Sequence, residues 1–258
     1  MSISDIATLA CGKYTDHCNI SDIFENLARN ITEIESVLLE LDKKDSKFIT
    51  SLGPFYARRL LENVSTALIG RLDPFRLLVL KRIQMSASPS DIGRRWDSSI
   101  NWQGDIFEQG IKDSLWKPNI KYNNICRAIL GDYYGDIFWN ETYKSILDSD
   151  IPLQYEKGDV LADYRTIPPE QFTIEIRKKI SNLYSAISKG VHSEFIIAQG
   201  IIYDEITVLN LVSETMEYFS LLSLISHNIG TCICKIPLEQ AVKVFYNIKE
   251  RCDNYAKS

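Results

Sequence analysis

The chain has 258 residues, 45% of them hydrophobic and 24% charged, a composition that excludes a disordered tail, a collagen and a small disulfide-stapled scaffold. Its 29 lysines and arginines against 34 aspartates and glutamates give a formal net charge of −5, which argues against a dedicated nucleic-acid binder. It carries no P-loop, no dinucleotide fingerprint and no nucleophile elbow, so the first expectations concern architecture.

The opening MSISDIATLACGKYTD lacks the basic start and apolar run of a signal peptide. The six cysteines are therefore expected as free thiols in a reducing cytoplasm. Ile20, Phe24, Leu27, Ile31, Ile34, Leu38 and Leu41 step alternately by four and three, which predicts an amphipathic helix. Asp22 and Glu25 read as its capping box. Ile23 and Val37 widen the stripe, so the helix is expected in a bundle and not in a long coiled coil. Gly53-Pro54 predicts the start of a second helix, with Pro54 in its first turn and Gly70 at its end. Asp73-Pro74 restarts a third over DPFRLLVLKRIQ, across a tight corner. The stretch SASPSDIG reads as a loop. Pro118 and Asn119 begin a fourth helical pattern, NIKYNNICRAILG, and a fifth runs from Asp136 to Leu147.

Between Asp148 and Pro169 the period stops, and Pro152, Gly158, Pro168 and Pro169 with five acidic residues predict a long connection holding a short strand at 151–155. The boundary is drawn there. It separates an N-terminal helical region, 1–150, from a C-terminal helical bundle, 169–258, across the connection 151–168. Phe172, Ile176, Ile180, Leu183 and Ile187 share one helical face, with Gly190 expected as a left-handed cap. The stretch from Asp204 to His227 is apolar nearly all round, which predicts the central helix of the bundle. Residues 218–234 form the longest uncharged run, too short and too polar for a bilayer span, so no membrane association is expected. Pro237 starts a last helix through Val242, Phe245, Ile248 and Cys252. The fold class is mainly α, a multi-helix bundle in one or two packed subdomains.

Charge is unevenly spread along the chain. Residues 56–95 hold eight basic and three acidic side chains, a balance of +5, and residues 132–164 balance at −6. Arg58 can pair with Glu62 one turn on. Arg71, Arg76, Arg94 and Arg95 gather around helix ends and a loop near Trp96 and Trp102, a chemistry suited to phosphates and stacked bases or to an acidic protein surface. Arg58, Arg59, Arg71, Arg76, Arg94, Arg95 and Trp96 are thus the candidate residues for binding a partner or nucleic acid. His17 with Cys11, Cys18, Cys232 and Cys234 would make a zinc set, but the spacing departs from the paired knuckles. Neither metal nor cofactor is expected. Asp132, Asp136, Asp148 and Asp150 read as surface and capping acids. His227 reads as a capping or core histidine at a helix C-terminus, where the dipole favours a cation.

His192 lies in LYSAISKGVHSEF, just past the end of a helix and beside Ser188, Ser193 and Glu194. This string resembles helical bacterial proteins of the HEPN kind, many of which belong to toxin and antiphage systems. The resemblance covers residues 169–230. It implies a helical bundle, dimerisation and a metal-independent ribonuclease site in which an Arg shortly before the His steadies the scissile phosphate. Here Ala186, Ile187 and Ser188 stand where that Arg belongs, and Arg177 lies about 20 Å back along the helix. A partner subunit or a basic residue of the Arg58 region would have to complete the site. The expected function is a protein-interaction or regulatory subunit, homo-oligomeric or part of a larger complex, placed in a bacterial defence or toxin system by the resemblance alone. The alternative is a divergent HEPN-type ribonuclease with His192 as its catalytic residue.

Overall fold

Two long helices from opposite ends of the sequence, α3 (Ser46–Leu72) and α8 (Glu205–Ser226), make the most extensive helix contact in the molecule. The computed structural model describes residues 3–16, 19–86, 99–109, 125–191 and 203–255. Around the central pair lie α2 (Ser21–Leu38) and α4 (Pro74–Ser86) on the α3 side and α9 (Leu238–Tyr255) on the α8 side, while α1 (Asp5–Cys11) and α7 (Phe172–Val191) pack against both, α7 more extensively against α3, and α1 also touches α2 and α9. The chain is mainly α. A single two-stranded hairpin, β1 (Gln154–Tyr155) antiparallel to β2 (Gly158–Asp159), is the sheet among the described residues.

The periodic stretches fold as their spacing dictates. On α2 the buried face is Phe24, Ala28, Ile31, Ile34 and Leu38, and on α7 it is Phe172, Ile176, Ile180, Leu183 and Ile187. Asp204 caps α8 by accepting from the Thr207 N–H at 2.7 Å. Enclosure by α1, α3, α7 and α9 explains why α8 is apolar all round. Its length and apolarity would also suit a membrane span, yet Val208, Val212, Met216 and Phe219 are buried within the protein.

The Gly53-Pro54 pair does not start a helix, because α3 already begins at Ser46, where the Asp45 carboxylate accepts from the Phe48 N–H at 3.0 Å. Pro54 sits inside the helix and marks a crossing. A Cβ on Gly53 would come within 2.3 Å of Val208 on α8, and one on Gly190 within 2.7 Å of the Pro54 ring. Gly190 is therefore not the left-handed cap expected of it. It stays helical in α7 and lets that helix lie close against Pro54. The expected capping box of α2 is also absent: the helix starts at Ser21 without a side-chain cap, and Asp22 accepts from Lys81 at 2.6 Å instead.

Residues 125–131, the described end of the expected fourth helix, are not helical; the N–H groups of Ile129 and Leu130 donate to the carbonyls of Asp105 and Ile106, at 2.9 Å each. Tertiary pairing with the 102–106 turn overrides the local pattern there. The fifth helix begins earlier than its period predicts, as α5 (Asp132–Tyr134), a wide π turn (Gly135–Trp139) and α6 (Asn140–Leu147). The connection 151–168 folds onto the core through Leu153, Val160, Leu161 and Tyr164, all buried.

Candidate interaction surface

Most of the described basic side chains in 56–95 are engaged by the protein itself. Arg58 pairs with Glu62 at 2.9 Å, as the one-turn spacing predicts, and donates to the Tyr184 hydroxyl at 3.2 Å. Arg59 lies over the Phe55 ring at 5.8 Å. Arg76 is mostly buried, bonded to Asp105 at 3.1 Å and to the Arg127 carbonyl at 2.9 Å, with Asp73 at 3.4 Å. Arg94, Arg95 and Trp96 lie outside the described residues.

Arg71 is a correction to the sequence reading. It is 0% exposed and cannot belong to a binding surface. Its Nε donates to the Ile233 carbonyl at 3.1 Å, Nη1 to the Leu9 carbonyl at 3.1 Å and the Ser226 hydroxyl at 2.7 Å, and Nη2 to His227 Nδ1 at 2.8 Å. His227 Nε2 lies 2.9 Å from the Leu9 carbonyl, and Nδ1 also accepts from the Ile236 N–H at 3.2 Å, which fits a neutral ring protonated on Nε2. The C-terminal ends of α1, α3 and α8 thus converge on one guanidinium. Their partial negative charges supply what a carboxylate would otherwise give. The cation expected at the end of α8 is therefore Arg71, while His227 is held neutral, its pKa lowered to about 2 by burial first and by Arg71 second.

Cys11, Cys232 and Cys234 border this node. Burial pushes the Cys11 thiol up to about 12 and Cys234 up to about 11, well above the range of reactive thiolates. The arrangement clamps helix ends together and offers no activated nucleophile. Gly12 belongs to it: at φ +59° it carries no Cβ, which would otherwise overlap the Cys234 carbonyl oxygen at 1.7 Å. Sequence reasoning missed the clamp. The available signal was that Arg71 continues the buried stripe of Leu60, Val64 and Leu68 by one further turn.

Among the described residues no group of three or more His, Cys, Asp or Glu side chains is placed to hold a metal. Cys11, Cys126, Cys232, Cys234 and Cys252 are not joined in disulfides, and His17 and Cys18 lie outside the described residues. Native mass spectrometry is expected to find no bound zinc, and alkylation after unfolding to find all six thiols; one tightly held zinc per chain would overturn that expectation.

His192 lies outside the described residues. Arg177 is committed to Asp132 at 2.7 Å, with Glu108 at 3.8 Å. Arg58 reaches α7 at Tyr184, two turns before that helix ends.

The surface that stands out belongs to α4. Phe75 is 68% exposed and Met85 73%, with Leu78 and Val79 also open, and on a 3.6-residue period these four fall in one arc with Arg82 at its middle. Monomer surfaces seldom gather large apolar side chains in this way. The opposite side of α4 presents Leu77 and Leu80 to a cleft of about 590 Å³ shared with α2. A smaller cavity of about 180 Å³ shares Thr66, Ser99 and Ile100 with that cleft and reaches Ser65 and Trp102. Compared with family models, with curated proteins and with solved structures, the chain matches none.

Proposed function

We propose that this chain is a protein-interaction subunit that assembles with a second copy of itself through the outer face of α4. The supporting observation is the exposed stripe of Phe75, Leu78, Val79 and Met85 on one three-turn helix. Antiparallel pairing about a two-fold axis near residue 80 sets Phe75 against the other copy's Met85 and Leu78 against its Arg82. The Arg82 stem covers Leu78 while its charged end stays in water, and the two guanidinium groups remain staggered. A regulatory place in a bacterial defence or toxin system accompanies this reading on the strength of the HEPN resemblance alone.

Sedimentation over a range of micromolar concentrations is expected to show a dimer for the wild-type chain. Phe75→Asp combined with Val79→Asp is expected to yield a monomer with the same circular dichroism. A wild-type chain that stays monomeric throughout would sink the reading. His192→Ala is expected to leave dimerisation unchanged; a metal-independent RNA cleavage that disappears in this variant would favour the ribonuclease instead.

A further inference from the structure

We infer that the cleft between α2, α3 and α4 is a binding site for a small uncharged amphiphile, whose hydrogen-bonding head seats at Ser65 and whose apolar body lies against Leu27, Leu77 and Leu80. The inference rests on the inner side of α4, at Leu77 and Leu80, and shares only Met85 among the four residues of the pairing stripe. Its first observation is the Ser65 hydroxyl. Ser65 is 1% exposed, lines the 180 Å³ cavity, and its Oγ has no hydrogen-bond partner.

Several helical hydroxyls in this protein bond to the carbonyl one turn back: Thr32 to Ala28 at 2.8 Å, Thr66 to Glu62 at 2.8 Å and Ser223 to Phe219 at 2.7 Å. Ser65, like Ser188 on α7 and Ser220 on α8, does not, although the same bond is geometrically open to a serine in a helix, and Ser65 lines the 180 Å³ cavity. A buried hydroxyl left unbonded is destabilising, and a ligand head in the cavity would recover part of that loss. Asn63 on the same wall donates its amide to the Arg59 carbonyl at 2.7 Å, so its amide nitrogen is engaged while its oxygen can still accept.

The second observation is the electrostatics of the walls. Each charge lining the two cavities is balanced within the protein: Glu62 by Arg58 at 2.9 Å and Asp22 by Lys81 at 2.6 Å. A charged head would have to displace one of these pairs or go unpaired in a partly closed site, whereas an amide or alcohol head can bond the hydroxyl and amide groups of the wall and leave the Glu62–Arg58 pair in place. The third observation is size. At about 590 Å³ the larger part lies within the size range of small-molecule pockets, and its lining mixes Ile23, Leu27, Leu77 and Leu80 with the side-chain amides of Asn26 and Asn30, as an amphiphile would need.

The probe is octanamide, with 1-octanol as a second neutral ligand and octanoate and octylamine as charged controls of the same chain length. Calorimetric titration of the full chain should show saturable binding of the two neutral ligands, at least tenfold tighter than either ion. Ser65→Ala removes an unbonded hydroxyl, so it should melt no lower than the wild type while binding octanamide about three- to tenfold more weakly. Leu27→Trp, which fills the apolar part, should abolish binding. Three results would each overturn the inference: no binding of either neutral ligand at millimolar concentration, equal binding of octanoate or octylamine, or Ser65→Ala binding as tightly as the wild type. Because Phe75 and Val79 do not line the cleft, their aspartate variants should bind octanamide normally, so loss of dimerisation and loss of ligand remain separable.

Discussion

Phe219→Ala is expected to destabilise the protein by about 3–5 kcal/mol and Met216→Ala by about 2–5 kcal/mol. Both side chains lie on α8 and are fully enclosed, at 1% and 0% exposure. Each truncation removes apolar contact and leaves a cavity that the helices packed around α8 cannot close without moving together. Against a typical total stability of about 5–15 kcal/mol, either loss is large. Urea unfolding should show the midpoint falling with little change in slope. Ile206, on the first turn of the same helix but 71% exposed, is the internal control, and Ile206→Ala should stay within about 0.5 kcal/mol of the wild type. Near-wild-type midpoints for both Phe219→Ala and Met216→Ala would mean that α8 is not the centre of the core.

What the amino-acid order discloses, and what it conceals, follows from how far each interaction reaches. The apolar spacing of α2, α7 and α9 and the all-round apolarity of α8 are local properties, so those helices could be read directly. Arg58 and Glu62 pair one turn apart on α3, and that too was legible. The Gly53-Pro54 pair reads locally as a helix start, yet its role is set by Val208 on α8 and Gly190 on α7, residues no local pattern connects to it. The partners of Arg71 stand 62, 155, 156 and 162 residues away. A local balance of charge counts that arginine as surface; only the fold shows three helix ends closing over it. For α4 the helix itself was legible, but both of its sides are apolar, so its sequence could not say which side the core would take.

Arg71→Met is expected to cost about 2–4 kcal/mol, because it strips donors from the Ile233 and Leu9 carbonyls, the Ser226 hydroxyl and His227; the last three keep one other bond each, to His227, Ser223 and the Ile236 N–H, so the largest single loss falls on the Ile233 carbonyl. The methionine fills much of the same volume, so the loss reports hydrogen bonding and charge more than packing. The pair also predicts a pH dependence. In the folded chain His227 protonates only near about 2, against 6.5 for an ordinary histidine. Above 6.5 the ring is neutral whether the chain is folded or not, and it adds no slope. Below 6.5 the unfolded chain binds a proton that the folded chain refuses, so stability falls as pH falls, by up to about 1.4 kcal/mol per unit, until the folded value is reached. His227→Asn cannot titrate. Urea unfolding at pH 7, 6 and 5 should therefore show the wild type losing more stability on acidification than His227→Asn, with contributions from the carboxylates cancelling in the difference. Arg71→Met, in which His227 no longer faces a fixed cation, should fall between the two. Parallel pH profiles for wild type and His227→Asn would show that His227 takes up its proton in the folded chain and that the clamp does not exclude it.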